Sequence, residues 1–135
     1  MRIKIATLML LTSCHVNVNI GTPEASKVVP GIEVFLSEVP VSLRGKRVGL
    51  ITNQSAIDRS RTPDIDLIAN SKDLKLVALF APEHGIRGVE AAGAKIGNEV
   101  DSKTGVPVHS LYGGQDRAPN EAMLRDVDVL VYDLQ

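Results

Sequence analysis

Leu76-Val77-Ala78-Leu79-Phe80-Ala81-Pro82-Glu83-His84-Gly85, residues 76–85, is the stretch that decides the fold. Its apolar run does not alternate and does not skip. An amphipathic helix would interrupt it every third or fourth position, and a half-exposed strand every second. A short unbroken run that halts at proline and glycine reads as a strand buried on both faces, and such strands belong to parallel sheets covered by helices. Two further stretches have the same character, Arg47-Val48-Gly49-Leu50-Ile51-Thr52 and Val127-Asp128-Val129-Leu130-Val131-Tyr132, and Val106 to Leu111 is a candidate fourth strand between glycine-rich turns.

The intervals carry helix signals. Thr62-Pro63-Asp64 places a capping residue, a proline at the first helical position and an acid in the first turn ahead of Ile65, Leu67 and Ile68. Pro119-Asn120-Glu121-Ala122-Met123-Leu124 begins in a similar way, and Ile32, Phe35 and Leu36 recur at helical spacing after Pro30-Gly31. Alternating strands and helices predict an α/β fold, a Rossmann-like open, mostly parallel sheet.

At 135 residues, 44% apolar and a net charge of −1, the chain is the size and composition of one globular domain. Lys and Arg are interspersed with acids instead of clustered, so no nucleic-acid partner is expected. With two Tyr, two Phe and no Trp, stacking platforms are scarce, and a bound sugar would be held largely by hydrogen bonds. Neither GxGxxG after a first strand nor GxxxxGK[ST] occurs, so no nucleotide and no cofactor is expected.

The N-terminus reads as a targeting segment. Arg2 and Lys4 precede a short apolar run from Ile5 to Leu11, too short to span a bilayer. Leu11-Thr12-Ser13-Cys14 resembles a bacterial lipobox, in which the cysteine is lipidated and becomes the new N-terminus. Residues 1–13 are thus expected to be a lipoprotein signal peptide, residues 14–29 a polar tether and residues 30–135 the folded domain, exported and held at a membrane through Cys14. An ordinary signal peptide with a chance cysteine is the alternative. Cys14 is the only cysteine, which excludes an intrachain disulfide.

In a parallel open sheet every strand delivers its carboxyl end to one edge, where the crevice at a reversal of strand order forms the binding site. Here the strands run into Asn53 and Gln54, into Glu83 and His84, and into Asp133, Leu134 and Gln135. Glu83 leaves a buried strand, where loss of water raises a carboxyl pKa toward the range of a general acid. The competing reading has Glu83 capping the next helix and His84 packing on the rim. Gly85 and Gly88 allow close approach of a ligand. Asn53 is a candidate to orient a substrate amide or is simply a turn former, and Arg87 is a candidate to neutralise a substrate carboxylate or is a solvated loop residue. Glu83, His84 and His109 with Asp101 or Asp133 are metal-ligand types, but their spacing matches no known metal motif and no metal is expected. Nucleophilic catalysis has no support, since no serine sits in a GxSxG elbow.

These motifs, in order, resemble a known family. Gly45 to Ala56 (GKRVGLITNQSA), Leu79 to Gly88 (LFAPEHGIRG), Ala92-Gly93, Asp101 to Val108 (DSKTGVPV), Ser110 to Gly113 (SLYG) and Asp128 to Gln135 (DVLVYDLQ) are similar to the NamZ-type exo-β-N-acetylmuramidases, long carried as a domain of unknown function. The resemblance runs from about residue 31 to residue 135. It implies a glycoside hydrolase that removes terminal N-acetylmuramic acid from the non-reducing end of peptidoglycan fragments in cell-wall turnover, acting on muropeptides or disaccharides. It implies that Glu83 is the catalytic acid of the PEHG motif; His84 beside it is the second catalytic candidate, and Asn53, Gln54, Arg87, Asp133 and Gln135, read from their places at the strand ends, are the candidates to line the substrate. It also implies a smaller C-terminal domain, so this chain is expected to be the incomplete N-terminal part. Glycosidases normally use two carboxyl groups. For the second, Glu90, Asp101, Asp133, a group outside the chain or the sugar's own amide all stay open. The alternative function is a non-catalytic, peptidoglycan-binding lipoprotein or an inactive remnant.

Overall fold

The computed structural model describes residues 28–82, 85–88, 99–112 and 117–134. Its elements are α1 (Gly31–Ser37), a 3-10 turn at Val41–Leu43, β1 (Arg47–Thr52), α2 (Asp64–Ala69), β2 (Lys75–Ala81), β3 (Glu99–Val100), β4 (Pro107–Ser110), α3 (Glu121–Leu124) and β5 (Val129–Asp133). They form a five-stranded sheet of order β3-β4-β2-β1-β5. β1 is parallel to both β2 and β5, β2 is parallel to β4, and only β3 runs antiparallel. The expected α/β architecture is therefore present, with a short antiparallel β3 added at one edge.

The unbroken apolar run has the cause inferred for it. Leu79 and Ala81 of β2 point into a core with Ile32, Val48, Leu50, Ile65 and Ile68, while Ala78 and Phe80 point to the other face and pack with Leu111, Met123, Leu124 and Val127. Helices α1 and α2 thus cover one face and α3 the other. Phe80, Leu79 and Leu50 are completely buried, and full burial of such a side chain stabilises by about 1.5–3 kcal/mol. Gly49 makes room for this layer: a Cβ there would stand 2.8 Å from the Phe80 ring and 3.0 Å from Leu130.

Two details differ from the sequence expectation. Helix α2 starts one residue late, with Pro63 as its N-cap and no side-chain cap. Thr62 is instead engaged in the preceding loop, where its amide donates to Asp58 Oδ1 at 2.7 Å and its carbonyl accepts from the Asp58 amide. The last strand is not buried on both faces. β5 is the sheet's edge, and Leu130 and Tyr132 are exposed at 43% and 67%. Its start at Val129 is anchored on the far side of β1, where Arg47 binds Asp126 and Asp128. Helix α3 is capped as its sequence suggests, Asn120 Oδ1 accepting from the Met123 amide at 3.1 Å.

Strand order, which periodicity does not reveal, places the binding edge. From β1 the chain steps to β2 and then β4 on one side, and it returns to put β5 on the other side of β1. The order reverses at β1, so the crevice opens at the carboxyl ends of β1 and β5, beyond Thr52 and Asp133, which are register partners. Among the described residues no helix is long and apolar enough to cross a membrane.

Candidate functional site at the carboxyl edge of the sheet

Asn53 and Asp133 leave adjacent strands at this edge, and β2 ends beside them at Ala81. Asn53 commits its side-chain oxygen locally. Oδ1 accepts from the Ser55 amide at 3.0 Å and from the Ser55 hydroxyl at 2.6 Å, which folds the chain sharply after β1. Gln54, next in the turn, is exposed and lies against Gly88. Gly88 has φ +70°, and a Cβ on it would come within 2.7 Å of the Gln54 side chain. Glycine is needed there on both counts, for the left-handed backbone and for the close contact. The turn after β1 and the loop after β2 therefore touch. Glu83, His84 and Gln135 lie outside the described residues, as do Cys14 and Glu90.

Arg87 is drawn inward. Its Nε donates to Asp101 Oδ1 at 2.5 Å, and its Nη2 donates to Asp101 Oδ2 at 2.8 Å and to Asp66 Oδ1 at 2.9 Å. Lys103 caps the other oxygen of Asp66, and Thr104 donates to Asp101 through its amide and its hydroxyl. Both carboxyl side chains are almost wholly buried, at 4% and 2% exposure. The Arg87 guanidinium, followed by the Thr104 donors, holds Asp101 well below the usual carboxylate range. Burial pushes Asp66 up, but the bonds from Lys103 and Arg87 outweigh it and its carboxyl also stays ionised at lower pH than usual. The fork of Arg87 thus fastens the loop after β2 to α2 and to the turn between β3 and β4. Asp101, saturated with donors, is a structural anion; it has no lone pair placed to take a proton from a substrate.

His109 is not tied in this way. Its ring lies 5.4 Å from that of Phe80, and its Nδ1 is buried without a hydrogen-bond partner. Among the described residues, no three His, Cys, Asp or Glu side chains are grouped so as to hold a metal.

One residue of this edge escaped the sequence reading. Asp64, the first residue of α2, is fully buried, and neither of its carboxyl oxygens meets a hydrogen-bond donor. What faces it is the carboxyl of Asp133, with Asp58 also close enough to be felt. Burial first, and then the neighbouring acids Asp133 and Asp58, push Asp64 up to about 7. A signal was available: Asp64 lies four residues before Ile68 and beside Ile65, on the helix face that enters the core.

Asp64 makes stability depend on pH in a definite direction. Its folded pKa, about 7, exceeds the ordinary 3.8, so the folded chain binds this proton more tightly. The resulting stabilisation is complete below about pH 4 and is lost as pH rises through about 7. Asp64→Asn removes that titration. Melting temperatures followed by circular dichroism at pH 4.5 and pH 8 should diverge, with the variant gaining about 2–4 kcal/mol on the wild type across the interval. Parallel pH profiles would show that Asp64 does not carry the proton.

An open parallel α/β sheet whose polar residues gather at the carboxyl edge beside a reversal of strand order defines a class, the α/β proteins that work on a ligand in that crevice. Within it the chain belongs to the NamZ exo-β-N-acetylmuramidase family, whose N-terminal domain matches residues 48–135. It is 45% identical over 114 residues to the peptidoglycan β-N-acetylmuramidase NamZ of Bacillus subtilis (strain 168), covering 84% of this chain and 27% of that protein. Its fold is similar to two crystal structures of DUF1343 family proteins from Bacteroides fragilis NCTC 9343. One has a TM-score of 0.67 and 47% identity over 79% of this chain and 26% of the other. The second has a TM-score of 0.59 and 31% identity over 79% of this chain and 25% of the other. The chain spans about a quarter of the length of these relatives.

Proposed function

We propose that this chain is the catalytic N-terminal part of a glycoside hydrolase that removes terminal N-acetylmuramic acid from the non-reducing end of peptidoglycan fragments. The observation that carries the reading is the family match, which begins in β1 and runs to the end of the chain through β2, β4 and β5. It thereby includes every parallel strand that ends at the crevice. In this reading Glu83 is the acid that protonates the departing oxygen, with His84 beside it. Asn53, Gln54, Arg87, Asp133 and Gln135 belong to the substrate's surroundings. Arg87 contributes there by fixing the loop, since its guanidinium is already bound to Asp66 and Asp101. The substrate lies outside the cytoplasmic membrane, and a chain exported and anchored through lipidated Cys14 would meet it there.

The test uses a chromogenic N-acetylmuramide and a muramyl disaccharide. They are offered to the chain as it stands and to the chain fused to the C-terminal remainder of the Bacillus protein. Release of free N-acetylmuramic acid by either form is the expected result. Saturable binding of muropeptides with no release by either form would overturn the enzymatic reading in favour of a non-catalytic wall-binding lipoprotein.

A further inference from the structure

We propose that the cavity beside His109, on the α3 face of the sheet, is a subsite for the acetamido group of the sugar next to the one released. The inference rests on the muramidase reading and deepens it.

His109 is the next-to-last residue of β4 and the register partner of Phe80, so it stands close to the carboxyl edge of the sheet, on the face that α3 covers. Only β2 separates β4 from β1, where the strand order reverses. At about 4.8 Å between neighbouring strands, His109 lies about 10 Å along the edge from the crevice, the reach of a second sugar ring. Together with Asn120, Ala122 and Met123 it lines a cavity of about 250 Å³. An open depression of about 610 Å³ adjoins it, sharing Asn120 and Ala122 and adding Glu121 and Arg125. At about 30 Å³ per water the cavity has room for roughly eight waters, hence for an acetamido group and the edge of its ring, while the depression receives the rest of the sugar.

The lining selects the ligand. Nδ1 of His109 is sealed from water and has no hydrogen-bond partner. A proton there would be an orphan donor, which protein interiors tolerate less well than an orphan lone pair. In the neutral ring the proton therefore sits on Nε2, the nitrogen left to meet a ligand. The fully buried Phe80 ring, 5.4 Å away, fixes the plane of the imidazole. Asn120 commits its Oδ1 to the Met123 amide at 3.1 Å and keeps its Nδ2 group as a second donor. Ala122 and the thioether of Met123 supply an apolar wall. Among the described residues no acid, lysine or arginine lines the cavity. Two N–H donors beside an apolar wall suit a neutral carbonyl oxygen that bears a methyl group, which is the acetyl end of an acetamido group. The lactyl carboxylate of a muramic acid would call for a cation that this lining lacks. With the released sugar at the reversal beside β1, the acetamido group held here belongs to the sugar that follows it, which in peptidoglycan is also N-acetylated.

The experiment reads His109 directly. Its ring nitrogens are followed by NMR, in the chain as it stands and in the fused form, during titration with methyl N-acetylglucosaminide, methyl glucosaminide and sodium lactate. The Nε2 resonance should shift saturably with the acetylated glycoside alone. His109→Phe, which keeps a ring against Phe80 but has no N–H, should weaken that binding about tenfold. Asn120→Ser, which keeps a capping oxygen for Met123 and loses Nδ2, should weaken it by about three- to tenfold. In whichever form turns over, His109→Phe should raise KM for the muramyl disaccharide about tenfold and leave KM for the chromogenic N-acetylmuramide, which lacks the second sugar, within about twofold. A His109 resonance unmoved by the acetylated glycoside in both forms, or moved as far by lactate or by the free amine, overturns the subsite. Equal changes of KM on the two substrates overturn it as well. None of these results touches the muramidase reading, which release from the chromogenic substrate decides by itself. Saturable, acetyl-specific binding at His109 with no release by either form would instead sink that reading and keep the cavity as an acetamido site.

Discussion

Glu83→Gln should reduce release of N-acetylmuramic acid by about 10²–10⁴-fold while leaving the thermal transition of the protein unchanged. Glutamine has the shape of a protonated glutamic acid and can hydrogen-bond to the glycosidic oxygen, but it has no proton to surrender as that bond breaks. The loss should depend on the leaving group. A nitrophenolate departs readily without protonation, whereas a sugar alkoxide does not. The defect should therefore be larger on the muramyl disaccharide than on the nitrophenyl glycoside, a pattern that mere misfolding or weakened binding would not produce. The acidic end of the pH profile should keep its shape and the basic end should change, because the group that must hold a proton in the active form is the one removed. Equal losses on both substrates would assign Glu83 a binding role, and undiminished turnover would remove it from the chemistry.

The parts of this molecule that were legible in its sequence are those governed by local pattern. The runs at 47–52 and 76–80 are apolar without alternation because both faces of β1 and β2 are covered. The run at 127–132 looks the same in composition yet forms an edge strand, since nothing in a strand's own residues says which neighbours it will have. β3, two residues long, has no periodicity to detect and exists only by pairing with β4. Of the residues that the strand ends deliver to one edge, Asn53 and Asp133 arrive there. Their partners were not legible. The bonds of Arg87 reach 14 and 21 residues along the chain, and Asp64 meets Asp133 across 69 positions of sequence. Such pairings are consequences of topology, which a single sequence states only indirectly.

Arg87→Ala should cost about 3–5 kcal/mol of folding stability, the loss typical when one member of a buried ion network is removed and the others stay. Asp66 and Asp101 are nearly inaccessible to water, so neither can replace the lost donors by hydration. Lys103 and Thr104 remain, which is why the loss stays finite and the carboxylates are not forced to protonate at neutral pH. For a domain of this size, with a total stability of about 5–15 kcal/mol, that loss amounts to a fall in melting temperature on the order of 15 °C. Arg87→Lys should recover part of it, since an ammonium keeps the charge but cannot bond in parallel to Asp101 while reaching Asp66. The pH dependence identifies the cause. In the wild type Asp101 is held below its ordinary pKa of 3.8, so its contribution is present above that pH and is lost as pH falls through the depressed folded value. The gap between wild type and Arg87→Ala should therefore be widest near neutrality and shrink below about pH 4. A gap that does not change between pH 3 and pH 7 would mean that Arg87 stabilises the loop by packing alone. Arg87 lies in the loop that touches the turn bearing Gln54, so the partly rescued Arg87→Lys variant carries a functional consequence as well: its kcat should fall at temperatures well below its unfolding transition.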